Sequence, residues 1–181
     1  MTDVRLLPLE KNDREQFILD NQWAFKYGAL EEFGKRNDHF EEGEEIISRK
    51  TIENSIDDKN SETYRVVQND KKIGGAIIKI EKEKKKGELV LFFINPEHHS
   101  KGVGYSAWLE IEKMHPEIEV WETVTPYFEK RNIHFYVNKC GFHIVEFFHK
   151  FHPEPKEHHQ YDDNDYSKDD ETFRFQKVIK K

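Results

Sequence analysis

The residues best suited to chemistry lie in one stretch, Leu89–Met114, which reads as a strand, a glycine-containing loop and a helix. Gly102 and Gly104 lie where the helical pattern begins. Glycines leave the backbone accessible because they lack a Cβ atom, and the first N–H groups of a helix have no partner within it. We therefore predict that the backbone N–H groups of Ser100–Tyr105 bind a phosphate or pyrophosphate, with Lys101 adding positive charge.

The same glycines allow other interpretations. One is an ordinary glycine-containing helix start that binds nothing. Another is a dinucleotide fingerprint, G-x-G-x-x-A, from Gly102 to Ala107, with Glu122 at a tolerable distance for a ribose-binding acid. In dinucleotide-binding folds the glycines follow the first strand directly, whereas residues 95–101 intervene here, so a nicotinamide- or flavin-dependent enzyme is kept only as an alternative. A P-loop is excluded because no Gly-Lys-Ser/Thr follows the glycines.

Hydrophobic periodicity and turn residues predict the elements that hold this stretch in place. Asn12 and Glu15 have the spacing of a capping box at the start of the first helix, and Asn132 is an N-cap candidate for the last one. Helices are predicted over 12–25, 44–56 and 102–115 and within 126–138. Strands are predicted over Val4–Leu9, Thr63–Gln68, Ile73–Ile80, Glu88–Asn95, Ile118–Val124, Phe142–Phe151 and Thr172–Ile179.

The resulting order is β-α-α-β-β-β-α-β-α-β-β. Short turns join the three middle strands, which predicts an antiparallel meander, and only the following strand–helix–strand crossover can make a parallel pair. We therefore predict an α/β (α+β) fold with a mixed, mostly antiparallel central sheet of about seven strands. The sheet should be splayed where the crossover begins and should carry helices on both faces. A single domain is expected over residues 1–181.

The negative charge belongs to one segment. The chain has 36 acidic and 29 basic residues and a net charge of −7, but residues 152–171 alone hold eight acids and two lysines. The rest of the chain is nearly neutral, and its only lysine-rich run, Lys82–Lys86, is short and is interpreted as a turn, so nucleic-acid binding is not expected. We predict that 152–171 is an acidic, histidine-rich insertion. Its histidine spacing matches no known tight metal site, so no metal is predicted.

Three further features bear on cellular context. No apolar run reaches the length of a membrane span, and the N-terminus lacks the layout of a signal peptide. A single cysteine, Cys140, excludes an intrachain disulfide and fits a reducing compartment; we interpret it as a packing residue. A soluble cytoplasmic protein without a membrane partner is expected. The oligomeric state is not set by the sequence, and a homodimer is one alternative.

Two motifs resemble the signatures of the GNAT superfamily of N-acetyltransferases. In that family a strand ending in Val/Ile-x-Pro is followed by Gln/Arg-x-x-Gly-x-Gly/Ala at the start of a helix. The corresponding residues here are Ile94–Pro96 and His99–Gly104. A second family signature, Phe-Tyr on a helix shortly before Gly-Phe, appears as Phe135–Tyr136 before Gly141–Phe142. The resemblance extends over Val4–Phe151 and includes the element order.

The chain departs from the family pattern at three places. His99 stands where Gln or Arg is usual, and a neutral histidine can still donate a hydrogen bond to a phosphate. Tyr136 precedes Gly141 by five residues, whereas four is the commoner spacing. The insertion at 152–171 is not part of the family pattern. We hypothesise that its acidity favours a cationic acceptor.

The resemblance implies an acetyl-CoA-dependent N-acetyltransferase that passes an acetyl group directly to a primary amine of a small molecule or peptide. Tyr136 is implied as the proton donor to the thiolate. We predict Glu122, on the strand after the helix, as the base, although an outward-facing Glu122 stays an alternative. A non-catalytic acyl-CoA-binding regulator on the same fold is a second interpretation. The predicted contacts to acetyl-CoA are Phe93, Ile94, His99, Ser100, Lys101, Gly102, Val103, Gly104, Tyr105 and Asn132.

Overall fold

A computed structural model describes residues 3–33, 45–99, 101–155 and 171–180. Within these ranges the elements follow the predicted order. Ser100 and most of the predicted insertion, 156–170, lie outside the described residues. The helices are α1 (Arg14–Phe33), α2 (Arg49–Asp57), α3 (Val103–Met114) and α4 (Lys130–His134), which continues as a π-helical turn over Phe135–Lys139. The strands are β1 (Val4–Pro8), β2 (Ser61–Gln68), β3 (Lys71–Glu81), β4 (Lys86–Ile94), β5 (Val120–Pro126), β6 (His143–Phe148) and β7 (Thr172–Val178).

The strands form one sheet in the order β1-β2-β3-β4-β5-β7-β6. Neighbouring strands are antiparallel except β4 and β5, whose parallel pairing spans only Lys86–Glu88 against Val120–Glu122. Beyond this short pairing the two strands part. A shift in the pairing of β3 with β4 leaves Val90 as an extra residue on β4, a bulge of the kind that increases strand twist. The predicted mixed sheet, splayed at the crossover, is confirmed.

Helices cover both faces of the sheet, as predicted. On one face, Phe17 and Ile18 of α1 and Ile52 of α2 pack against Leu91 and Phe93 of β4. On the other face, α3 and the segment after α4 cover side chains of β3, β4, β5 and β7. The buried members of that second cluster include Ala76, Ile78, Leu89, Trp108, Ile111, Trp121, Tyr136, Phe142 and Phe175.

The position of α3 is fixed by a fully buried tryptophan. The Trp108 ring lies 5.4 Å from the ring of Trp121 on β5 and 5.1 Å from that of Phe142, measured between centroids. Gly87 on β4 makes this packing feasible because a Cβ atom there would collide with the Trp121 ring. The N-terminus of α3 is thus held beside the end of β4.

A buried ion-pair cluster ties α1 to the sheet. Arg65 on β2 is 2% exposed, and its guanidinium binds Asp13 at 2.7 Å and Asp20 at 2.8 Å. Lys72 adds a second cation to Asp13 at 2.9 Å. Burial alone would raise the pKa of Asp13, but the bonds from Arg65 and Lys72 hold it below its ordinary value. These contacts fix α1, whose middle turns line the cavity described below.

Two predicted helix caps were wrong, and the helix predicted over 44–56 begins only at Arg49. Asn12 does not cap α1, because Lys11–Asp13 form a 3₁₀ turn and the α-helix begins at Arg14. Asn132 lies inside α4, which begins at Lys130, and its amide donates to the Glu129 carboxylate at 2.8 Å. In both cases a preceding turn brings the chain into helical geometry without the predicted side-chain cap.

Candidate active site

A cavity of about 560 Å³ lies between the end of β4, the N-terminus of α3, α4 and the middle of α1. It brings together most of the predicted acetyl-CoA contacts. The predicted residues in its wall are Phe93, Ile94, His99, Gly102, Val103, Gly104, Tyr105 and Asn132. Lys101 is not in the wall; its side chain is exposed and donates to the Glu97 carbonyl at 3.2 Å. Ser100 lies outside the described residues.

The N-terminus of α3 opens onto this cavity without a side-chain cap. Its N-cap is Gly102, in the left-handed region at φ 73°. Apart from Gly102 and its two chain neighbours, no described residue has a heavy atom within 4 Å of where a Cβ would stand. The first bond within the helix runs from the Ser106 N–H to the Gly102 carbonyl at 3.0 Å. The N–H groups of Val103, Gly104 and Tyr105 therefore have no acceptor inside the helix. Such a terminus suits an anion.

His99 contacts the strand that leads into the loop. Its Nε2 lies 2.6 Å from the Ile94 carbonyl oxygen. Because a carbonyl only accepts, Nε2 carries the proton and donates it. In the neutral ring Nδ1 is then an acceptor, and it becomes a donor only when the imidazole is protonated. The ring of His99 also meets that of Tyr27 on α1 edge-on, with 6.2 Å between centroids.

The end of β4 offers backbone groups to the gap between β4 and β5. The Asn95 N–H donates to the Ile73 carbonyl at 2.8 Å, so Asn95 and Ile73 form a hydrogen-bonded pair of the antiparallel ladder. Because such pairs alternate along a ladder, Phe93 directs its backbone groups toward β3, whereas Phe92 and Ile94 direct theirs away from it. The edge predicted at Phe93 and Ile94 thus belongs to Phe92 and Ile94, and the Ile94 carbonyl in it already accepts the hydrogen bond from His99.

Four basic residues in the cavity wall were missed by the sequence analysis. Arg131, His134 and Lys139 come from α4 and the turn after it, and His98 comes from the loop after β4. Of these, Arg131 and Lys139 add positive charge to the cavity that the N-terminus of α3 faces. The sequence does show several basic residues in 130–139. It does not show that they lie near Gly102, because that depends on how α4 packs against the sheet.

Tyr136 lies next to the cavity wall rather than in it. Its side chain is 6% exposed, and its ring contacts Phe135, Phe142 and Phe175 with centroid separations of 5.4–5.7 Å. The π-helical turn Phe135–Lys139 adds one residue to the helix end, which accounts for the five-residue spacing before Gly141. Phe175 pairs with Thr123 across β5 and β7, so Tyr136 lies level with the point where β4 and β5 part. Its role as proton donor stays a prediction.

Glu122 lies on the opposite face of the sheet from α3. Lys86 of β4 binds its carboxylate at 2.6 Å, and Arg174 and Gln176 of β7 bind it at 2.8 and 3.1 Å. Burial by itself would raise the pKa of Glu122, but these bonds and the charges of Lys86 and Arg174 hold it below its ordinary value. Its role as the base stays a prediction, and a lowered pKa makes a carboxylate a weaker base.

The Glu122 contacts belong to a line of alternating charges across four neighbouring strands. Arg174 also donates to Glu146 of β6 at 2.9 Å, and His152 reaches Glu146 at 2.7 Å. One face of the sheet therefore carries Lys86, Glu122, Arg174 and Glu146 in order, each within bonding distance of the next. We call this set the charge ladder.

Cys140 does not resemble a nucleophile. The thiol is buried among the α3-side core residues, and burial raises its pKa to about 12. In the described ranges, no group of three or more His, Cys, Asp or Glu side chains has the geometry of a metal site. The described helices include none long and apolar enough to cross a membrane.

A mixed sheet that opens beside an uncapped helix N-terminus defines the N-acetyltransferase fold. The chain belongs to the acetyltransferase (GNAT) family, whose model matches residues 22–142. The predicted family is thereby confirmed. A relative from Bacillus subtilis (strain 168), named Uncharacterized protein YrkN, is 42% identical over 174 residues, or 95% of this chain and 91% of the relative.

Solved structures share the fold at low sequence identity. PaiA N-acetyltransferase from Thermoplasma acidophilum, in complex with coenzyme A, has a TM-score of 0.63 and 17% identity over 98% of this chain and 99% of its own. Spermidine N-acetyltransferase from Vibrio cholerae, in complex with CoA and spermine, has a TM-score of 0.65 and 18% identity over 97% and 95%. These likenesses concern the fold.

Proposed function

We propose that this protein transfers the acetyl group of acetyl-CoA directly to a primary amine of a small molecule or peptide. The observation that carries the proposal is the α3 N-terminus. Three backbone N–H groups and an open space at Gly102 face a cavity beside the parted strands. A pyrophosphate fits this arrangement because it needs several donors and close backbone approach.

Other residues of the cavity suit the remainder of acetyl-CoA. Arg131 and Lys139 supply charge for phosphate groups, and the backbone of Phe92 and the N–H of Ile94 can pair with the amides of the pantetheine arm. The segment of β4 from Ile94 back to Leu89 is about 16 Å long. A pantetheine arm that follows this segment would reach the point where β4 and β5 begin to pair. Family membership and the CoA complexes of the structural neighbours support the same assignment.

A non-catalytic acyl-CoA-binding regulator is the second candidate, because Tyr136 lies in the core and not in the cavity wall. The dinucleotide alternative is disfavoured, since β4 ends an antiparallel meander and a 3₁₀ turn, Pro96–His98, separates it from the glycines.

Thermal denaturation with acetyl-CoA, CoA, NAD or FAD separates these candidates, because a ligand that binds the native state raises the melting temperature. We expect stabilisation by acetyl-CoA and CoA. Stabilisation by NAD alone would refute the proposal. Tyr136→Phe then separates enzyme from regulator: for an enzyme it lowers acetyl transfer and leaves the CoA affinity unchanged, whereas a regulator shows no transfer to any amine.

A further inference from the structure

A second cavity, of about 240 Å³, lies on the face of the sheet opposite α3. Trp121 points toward α3, so its neighbour Glu122 points to this opposite face. Glu88 and Glu122, the last paired residues of β4 and β5, both line the cavity, as do Thr123 and Val124 beyond them. The cavity therefore lies at the point where the two strands part.

This position is where an amine would meet a thioester. A ligand anchored at α3 and extended along β4 ends level with Leu89 and Thr123, on the α3 side of the gap. The second cavity reaches the same level from the other face. It also contains Glu154, which follows β6 and lies beyond the 22–142 match of the family model.

We propose that Glu154 takes the proton from the acceptor amine in the second cavity. The assignment rests on the proposed acetyl transfer. Two glutamates of this cavity are held by other side chains. Lys86 and Arg174 bind Glu122, and Arg174 and His152 bind Glu146. Among the described residues, neither an ion pair nor a hydrogen bond holds the half-buried Glu154 carboxylate.

The electrostatic environment of Glu154 suits this role. Burial raises the pKa of Glu154 to about 7, and the negative charge of Glu88 acts in the same direction. By contrast, hydrogen bonds from His152 and Arg174 lower the pKa of Glu146. A base is most effective when its pKa lies near the working pH. The charged groups that face Glu154 are Lys86 and Glu88 on β4, Glu122 on β5, Glu146 on β6 and Arg174 on β7.

Acetyl transfer with Glu154 as the base conserves protons and electrons. The Glu154 carboxylate takes one proton from the ammonium form of the acceptor, which frees the nitrogen lone pair. That lone pair forms the C–N bond while the C–S bond breaks and its electron pair leaves on sulfur. The nitrogen then loses a second proton, which balances the one taken up by the sulfur, and Glu154 returns its proton to water.

The test is the pH dependence of kcat for acetyl transfer from acetyl-CoA to an accepted primary amine. In the unaltered protein we expect kcat to rise with pH through an apparent pKa of about 7. Glu154→Gln should lower kcat by about 10²–10⁴-fold and abolish this rise, with the dissociation constant of acetyl-CoA unchanged. Glu88→Gln should keep the rise but move it to lower pH, because removing the Glu88 charge lowers the pKa of Glu154. Glu110→Gln, on α3 and outside both cavities, should behave as the unaltered protein.

A carboxyl-detected ¹³C NMR titration adds a readout that needs no turnover. One glutamate should titrate near pH 7 in the unaltered protein and be missing from Glu154→Gln. If Glu154→Gln keeps both kcat and its rise with pH, or if every glutamate titrates at ordinary values, the assignment fails and the proposed function stands. If the unaltered protein acetylates no amine, the proposed function fails and this assignment fails with it.

Discussion

The Thr123 hydroxyl donates a 2.9 Å hydrogen bond to the Leu89 carbonyl, one residue beyond the last paired residues of β4 and β5. A side chain thus replaces the backbone ladder at the point where the two strands part. The bond satisfies a buried carbonyl that would otherwise face the gap. It marks the boundary between the paired base of the sheet and the cleft.

Thr123→Val tests this bond. Valine has nearly the same shape but cannot donate, so the Leu89 carbonyl loses its partner and the free energy of unfolding should fall by about 1–3 kcal/mol. Urea denaturation measures it. Thr123→Ser is the control, because it keeps the hydroxyl and loses only a methyl group. It should lower the free energy of unfolding by less than Thr123→Val does. Equal or greater stability of Thr123→Val would show that the bond contributes nothing.

Gly102→Ala tests the proposed phosphate site. An alanine at φ 73° should lower the free energy of unfolding by about 1–2 kcal/mol, because its Cβ crowds the backbone. Its methyl group would also stand where a phosphate is proposed to approach the N–H groups. We expect the affinity for CoA, measured by calorimetry, to fall by roughly tenfold.

Gly141→Ala is the matched control for Gly102→Ala. Gly141 has a similar φ of 79° but does not line the cavity. The Gly141→Ala variant should lose about as much stability as Gly102→Ala, but its affinity for CoA should equal that of the unaltered protein. Equal losses of CoA affinity in the two variants would place the binding site elsewhere.

His99→Arg tests the histidine that stands where the family has Gln or Arg. With Nε2–H donated to Ile94, only the protonated ring offers a donor at Nδ1. Arginine and glutamine side chains offer hydrogen-bond donors in their ordinary forms, so we expect His99→Arg and His99→Gln to bind CoA more tightly than the unaltered protein, as measured by calorimetry. Weaker binding of CoA by both variants would contradict this account of His99.

Glu122→Gln tests the charge ladder by acid sensitivity. The native pKa of Glu122 is lowered, so its contribution to stability is present above the unfolded value of about 4.3 and is lost as the pH falls through the native value. The variant should be less stable than the unaltered protein near pH 7, by about 1–3 kcal/mol. This difference should shrink on acidification toward about pH 3. Urea denaturation at several pH values measures it, and a constant difference would contradict the lowered pKa.

The order of the elements could be predicted because each strand and helix carries its own hydrophobic period. The uncapped helix start that we propose as the phosphate site could be located for a similar reason, since Gly102, Gly104 and the start of α3 are neighbours in the sequence. Local signals predicted the wrong cap for α1. Lys11–Asp13 form a 3₁₀ turn before this helix, so Asn12 lies within the turn and does not cap the helix.

The opposite face of the sheet could not be predicted from local patterns. Glu122 and Arg174 are 52 residues apart and meet only because β7 lies between β5 and β6 in the sheet. Glu154 belongs to a segment that the sequence indicated only as an acidic insertion. Its burial beside Glu88 depends on how the chain after β6 returns over the sheet.

The most direct test of the central claim is mass spectrometry of a panel of amines incubated with this protein and acetyl-CoA. Polyamines, aminoglycosides and lysine-containing peptides should be included, because we hypothesise that the acidity of residues 152–171 favours cationic acceptors. We predict a product heavier by one acetyl group on a primary amine, formed together with free CoA and lost in Gly102→Ala at low acetyl-CoA. Binding of acetyl-CoA without acetylation of any amine in the panel would contradict the account.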